Sequence, residues 1–410
     1  MRITYLSLTN FRNYARLELT LPEQSVLIHG HNAQGKTSLL EAIYLLAAGS
    51  SPLTSSDREL IRWQAEADGL PYARVWAELE RRDRRMELDI TLEKQTLSNG
   101  TARLQKTIRV DRVQKRQSDL SGKLNVVMFT PQDVDLVSGS PSGRRRYMDD
   151  ALCQVHRVYS EALARYTRAL RQRNAALRHV RDEAGNPKQL APFEGALAES
   201  GVIIARHRRD LLDALSDDAR RIHGELTGGD EWLRLDYLPN FDPGAPPALK
   251  HEMGIEVKEH LRPTEDVGFE DLVKAYRRAL VELRSQEIAR GMTVFGPHRD
   301  DFRFIAGNSA LGIRDVDLGV YGSRGQGRTA VLSLKLAELR WMQEQTEEKP
   351  VLLLDEVLAE LDMERRAYLQ EQMSGLEQAI LTATDPDMFT AEFVRRATVL
   401  QVQAGIVQSR

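Results

Sequence analysis

The sequence predicts an α/β protein: a nucleotide-binding core with antiparallel sheet added to it and a mainly helical lobe inserted in the chain. Four observations carry that expectation. Residues 30–37 read Gly-His-Asn-Ala-Gln-Gly-Lys-Thr, which fits the phosphate-binding pattern G-x-x-x-x-G-K-[ST]. Short strands of period two then run from residue 72 to about 127, and the middle of the chain keeps helical spacing over two long stretches. Beyond it, Val351-Leu352-Leu353-Leu354 is a wholly apolar strand ending in Asp355-Glu356.

The phosphate loop is supported by its flanks. Ser25-Val26-Leu27-Ile28-His29 before it reads as a buried strand, and Leu39, Leu40, Ile43, Leu46 and Ala47 after it recur at helical spacing. The loop therefore ends on a helix N-terminus, where free N–H groups and the dipole favour an anion. In that geometry Gly30, His31, Asn32, Ala33, Gln34 and Gly35 cradle phosphates, Lys36 reaches the terminal ones, and the Thr37 hydroxyl serves Mg²⁺.

Ahead of the loop, residues 3–8 and 15–19 alternate and read as strands. The added antiparallel sheet includes Val75-Trp76-Ala77-Glu78-Leu79, residues 86–90 and residues 107–110, with a turn expected at Ser98-Asn99-Gly100. Leu152, Val155, Tyr159, Leu163, Tyr166, Leu170 and Leu177 form one helical series, stopped by Gly185-Asn186-Pro187. A second runs through Leu190, Phe193, Leu197, Ile204, Leu211, Leu215, Ile222 and Leu226 to Gly228-Gly229. Two helices of about 38 residues predict an antiparallel hairpin arm roughly 55 Å long, its apolar stripes packing helix on helix. Pro239, Pro243, Gly244, Pro246 and Pro247 mark a loop; a helix from about 269 to 290 follows it. The expected division is 1–140 for the first part of the core, 141–290 for the helical lobe and 291–410 for the rest of the core.

With 410 residues, 41% hydrophobic and 29% charged, the chain suits a soluble protein of two lobes. It has neither an apolar run of membrane-spanning length nor signal-peptide organisation at its start, and its single cysteine, Cys153, suits a reducing cytosol. The net charge of −3 hides a basic middle: ten arginines lie between Arg144 and Arg181, against Asp149, Asp150 and Glu161, whereas residues 338–377 lean acidic. Arg144, Arg145, Arg165, Arg168 and Arg171 are the leading candidates for contact with nucleic-acid phosphates, which need charge and no base reading. Solvation of a helix face is the competing use of the same residues.

An apolar strand ending in paired acids downstream of a phosphate loop has a specific use. Asp355 would hold Mg²⁺, usually through water, and Glu356 would orient or deprotonate the water that attacks the γ-phosphate. Ser323-Arg324-Gly325-Gln326 opens another helix and is a second anion-binding helix end, so one nucleotide can be held between two copies of the chain.

That trio resembles the ATP-binding-cassette (ABC) ATPases. Within them, residues 10–14 (NFRNY), 30–43 (GHNAQGKTSLLEAI), 139–149 (GSPSGRRRYMD), 172–174 (QRN), 296–301 (GPHRDD), 323–326 (SRGQ) and 360–362 (ELD) resemble the RecF family, SMC-related ATPases of bacterial recombinational repair. The resemblance implies an ABC-type P-loop ATPase head. It implies that residues 30–37 bind ATP and that Gln132 lies in the Mg²⁺- and interface-sensing loop. It further implies that Ser323, Gly325 and Gln326 cap the ATP of the opposite subunit, that Asp362 crosses the interface, and that Glu356 and Lys36 serve catalysis. Arg12 falls near the nucleotide. Where the family often has a second aspartate, this chain has Glu356, and Thr382-Ala383-Thr384-Asp385 stands where transporter-type cassettes carry a switch histidine.

The function implied is that of a slow, DNA-stimulated ATPase of the bacterial cytoplasm. Its ATP-dependent homodimer would clamp DNA at single-strand gaps or junctions, and with RecR and RecO it would help RecA load during replication and the SOS response. The rivals are the ATPase subunit of a membrane transporter, a short-armed structural SMC-like protein, and a binding protein with a dead ATP site.

Overall fold

The computed structural model describes the chain apart from residues 55, 83, 97–101, 184, 242–267, 387–388 and 410. The turn expected at Ser98-Asn99-Gly100 and the loop from Pro243 to Pro247 lie outside the described residues.

Strands β1 (Arg2–Phe11) and β2 (Tyr14–Thr20) form a hairpin; β3 (Gln24–His29) leads into the phosphate loop and α1 (Lys36–Ala48) leaves it. Then come β4 (Tyr72–Arg81), β5 (Arg84–Thr96), β6 (Ala102–Val110) and β7 (Val113–Lys115). With the first hairpin they make an antiparallel sheet of order β2-β1-β4-β5-β6-β7. Strand β8 (Val126–Phe129) does not join it, although the period-two region was expected to extend to about residue 127. All four of its residues are buried, and it pairs in parallel with the apolar 351–355 strand. A strand apolar on both faces belongs inside a covered parallel sheet, not on a half-solvated antiparallel one.

The helical lobe opens with one turn, α2 (Asp135–Ser138), followed by α3 (Pro141–Val155), α4 (Arg157–Asp182) and α5 (Ala191–Leu226). The single helix expected over the first series is broken at His156, whose φ of −109° and ψ of 104° are extended. The partner therefore pairs over a shorter length than the 55 Å hairpin predicted. Helix α4, at 26 residues, is roughly 39 Å long. The far half of α5 is docked on the core instead: Ala219 and Ile222 are buried in it, and His223 Nδ1 lies 3.2 Å from Ser333 Oγ. Apolar spacing records that a helix face is covered, not by which neighbour.

Next come β9 (Glu231–Leu238), α6 (Phe269–Glu282), α7 (Arg284–Arg290), β10 (Asp301–Asn308), β11 (Ile313–Asp317) and the short α8 (Leu318–Tyr321). The three strands form a small antiparallel sheet of order β11-β10-β9. Helix α9 (Arg324–Thr346), β12 (Val351–Asp355), α10 (Met363–Ser374), β13 (Gln378–Ala383), α11 (Ala391–Arg396), β14 (Thr398–Gln403) and β15 (Ile406–Ser409) complete the chain.

The central sheet runs β15-β14-β3-β13-β12-β8, parallel except for β15. Its strands feed two cores. Val26, Ile28, Val351 and Leu353 face α1 and the antiparallel sheet, while Leu27, Leu352 and Leu354 face α9 and the helical lobe. Helix α1, buried on nearly every side, is thus clamped between two sheets, and the phosphate loop at its N-terminus is anchored from both.

Candidate nucleotide and nucleic-acid sites

The loop geometry follows from its glycines and from the strand order. Gly35 has φ +115°, a region where a side chain is strained, and a Cβ there would stand 2.6 Å from the Asn13 amide. Asn13 Nδ2 donates to Gln34 O (2.8 Å), Tyr14 Oη to Gly35 O (3.0 Å), and the Ala404 N–H to Gln34 Oε1 (2.6 Å). The β1–β2 turn and the β14–β15 turn thus hold the loop from outside.

Because β3, β13 and β12 are neighbours that run parallel, the loop and the acidic strand end open on the same edge of the sheet. Thr37 Oγ1 lies 2.8 Å from Asp355 Oδ2, and Thr382 Oγ1 donates to Asp355 Oδ1 (2.7 Å). Burial raises the Asp355 carboxyl above the usual carboxylate range, and the adjacent Glu356 charge pushes the same way; the bonds from Thr382 and Thr37 offset part of the effect. Lys36 is buried, donating to Gly30 O (2.7 Å) and His31 O (3.0 Å), with Nζ 2.9 Å from Glu356 Oε1. Glu356 has φ +54°, and its N–H donates to Thr382 Oγ1.

Hard oxygen donors from one carboxylate and one hydroxyl suit Mg²⁺, which is usually completed by phosphate oxygens and water. Among the described residues no cluster of three His, Cys, Asp or Glu side chains could hold a metal by itself. Thr37 and Asp355 fit the shared type of site. Gln132 is exposed in the turn after β8, and among the described residues no hydrogen bond joins it to Thr37 or Asp355.

The cleft beside the loop measures about 760 Å³ and is walled by Lys36, Thr37, Glu356, Arg12, Ile61 and Trp63, among others. Arg12 is locked there by Glu41, with Nε and Nη2 at 2.7 and 2.6 Å from its two carboxylate oxygens. Glu41 escaped the sequence reading, yet a lone carboxylate inside the apolar run of α1 was its signal.

Ser323 caps α9. Its Oγ accepts from the Gln326 N–H (3.2 Å), and the Gln326 side chain accepts from the Ser323 N–H (3.0 Å). With Gly325 they line a different cleft of about 690 Å³, together with Arg365 and Tyr368, which shares no lining residue with the first. Asp362 caps α10 through the Arg365 N–H (2.9 Å) and pairs with the Arg365 guanidinium.

The arginines divide. Arg144 is a correction to its candidacy for phosphate contact: it is buried, makes a two-pronged pair with Asp301 (2.7 and 2.9 Å), and donates to Gly139 O. Arg145 is half-buried and donates to Asp300 O (2.8 Å). Both tie the 139–149 motif to the 296–301 motif. Arg165, Arg168 and Arg171 are exposed on α4, and among the described residues no carboxylate pairs with them. An unpaired guanidinium stripe keeps its charge available to phosphate. No helix among the described residues is long and apolar enough to cross a membrane.

A family model described as the RecF/RecN/SMC N terminal domain matches residues 2–408. The DNA replication and repair protein RecF of Chloroflexus aurantiacus is 39% identical over 416 residues, covering 99% of each chain. That of Bacillus mycoides is 35% identical over 408 residues, covering 99% of this chain and 98% of its own. A solved structure of the recombination mediator protein RecF-ATP in the RecFOR pathway superposes with a TM-score of 0.81 at 29% identity, covering 100% of this chain and 97% of that one.

Proposed function

The chain belongs to the RecF family of SMC-related ATPases, and from that premise we propose that it is an ATP-gated DNA clamp of recombinational repair. Lys36 and the N–H groups of the loop bind the triphosphate of ATP. Thr37 and Asp355 hold Mg²⁺, which supplies charge neutralisation at the phosphates. Glu356 accepts the proton of the attacking water, and turnover is slow and stimulated by DNA.

The observation that carries this reading is that the phosphate loop and the Ser323 helix end line two separate clefts of one chain. Ser323, Gly325 and Gln326 present a helix N-terminus in a cleft that shares no residue with the Lys36 cleft. A second copy completes each site, so dimerisation depends on ATP. The dimer carries two α4 stripes, and Arg165, Arg168 and Arg171 grip duplex DNA or a single-strand gap through phosphates. In the cytoplasm the clamp works with RecR and RecO toward RecA loading. The transporter reading has less support, since the arm and the stripe have no use there.

Sedimentation with and without ATP and duplex DNA tests all three parts. A monomer alone, a dimer with ATP and a heavier complex with ATP and DNA are expected. A protein that stays monomeric with saturating ATP, or binds DNA equally without it, overturns the clamp.

A further inference from the structure

The wall of the Lys36 cleft is of two kinds: Lys36, Thr37 and Glu356 are polar or charged, and Ile61 and Trp63 add apolar and aromatic surface to the same cleft. Trp63 is 83% exposed, and it is set apart from the other tryptophans: Trp76 and Trp232 are half-buried and Trp341 is buried. An indole left open on the wall of a cleft offers a flat apolar face to whatever enters that cleft.

Its position is not that of a loose surface side chain. The 57–65 segment is stitched to the β1–β2 turn: the Arg12 N–H donates to Leu60 O and the Arg62 N–H to Asn10 O, both at 2.8 Å, with a bridge between Phe11 and Ile61. Ala65, in the same single turn as Trp63, is wholly buried, and Arg62 is held by Asp68 (3.0 Å). The same β1–β2 turn holds the phosphate loop through Asn13 and Tyr14. The backbone that carries Trp63 and the phosphate loop are therefore both tied to the β1–β2 turn. That is the arrangement a ligand with a charged tail and a flat aromatic head requires.

We propose that Trp63 is the stacking platform for the nucleobase of the bound nucleoside triphosphate. The proposal rests on the ATP reading of the cleft and adds to it the group that takes the base. Stacking on an indole discriminates weakly among bases, because every base offers a π-face. The platform therefore contributes affinity and orientation more than choice of adenine.

The test compares ATP with inorganic tripolyphosphate, which has the charge but no base, by calorimetric titration of dilute protein with Mg²⁺. Trp63→Ala is expected to weaken ATP binding about tenfold or more while leaving tripolyphosphate unchanged; Trp63→Phe is expected to restore most of the ATP affinity. ATP, but not tripolyphosphate, is expected to quench the exposed tryptophan emission of the parent, and the quench is expected to vanish in Trp63→Phe. Equal losses for both ligands in Trp63→Ala, or no loss for ATP, overturn the platform. So does a variant that binds ATP normally yet no longer dimerises, which assigns the indole to the second copy. Failure of the parent to bind either ligand brings down the ATP reading itself and the platform with it.

Discussion

Lys36 Nζ and Glu356 Oε1 stand 2.9 Å apart, joining the phosphate loop to the end of the acidic strand. The lysine is 4% exposed and the glutamate 34%, so the carboxylate faces the cleft while the ammonium is drawn under the loop. A carboxylate placed there stays open to water while it is held beside the phosphate loop. Glu356→Gln keeps the shape and loses the basicity. Turnover is expected to fall by about 100-fold or more, with ATP still bound and the dimer accumulating on DNA. Unchanged turnover in a steady-state ATPase assay would remove Glu356 from the mechanism.

The exposed α4 stripe gives a prediction about salt. Reversing Arg165, Arg168 and Arg171 to glutamate is expected to weaken binding to unrelated duplexes alike. It is also expected to flatten the plot of log affinity against log salt by about 2 to 3 if all three meet phosphate. Arg144→Ala should act differently, lowering thermal stability through loss of its Asp301 pair. Identical salt slopes for parent and triple variant would move the DNA surface off α4.

Sharing of the ATP site is checked by mixing two inactive variants, Lys36→Ala and Ser323→Arg. A mixed dimer has one doubly defective site and one built from an unmutated loop and an unmutated signature. With random pairing and independent sites, roughly a quarter of the parental ATPase is expected to return. Crosslinking shows whether mixed dimers form. Full ATP-dependent dimerisation and turnover by Ser323→Arg alone would refute the shared site.

Acid is expected to loosen the joint between the helical lobe and the 296–301 motif. His298 Nδ1 lies 2.7 Å from Tyr166 Oη, and Nε2 lies 3.0 Å from Thr293 O, an arrangement that satisfies a neutral ring. Burial lowers the His298 pKa to about 4, from an ordinary 6.5. The folded state thus prefers the neutral form. Its contribution is present in full above pH 6.5 and is lost as pH falls toward 4, on the order of 3 kcal/mol in all. In denaturant titrations the stability gap between parent and His298→Gln is expected to narrow from pH 7 to pH 4.5. A gap that does not change with pH would show that His298 titrates normally.

Much of the core was legible in residue order because its signals are local. The phosphate loop declares itself within eight residues, its strand and helix within ten on either side, and the apolar run of β12 with its terminal acids within six. The helix start at Ser323–Gln326 is likewise a four-residue pattern. What only the tertiary structure decided involves partners distant in the chain. Thr37 meets Asp355 across 318 residues because their strands lie parallel on either side of β13, and strand order leaves no trace in local periodicity. The basic middle looked uniform, yet Asp301 draws Arg144 inward while Arg165, Arg168 and Arg171 remain in solvent. The apolar spacing of the helical stretches continued past His156 and along all of α5, while the covering surface changed from helix to core. Periodicity reports that a face is buried; the surface that buries it is set by the packing of the whole chain.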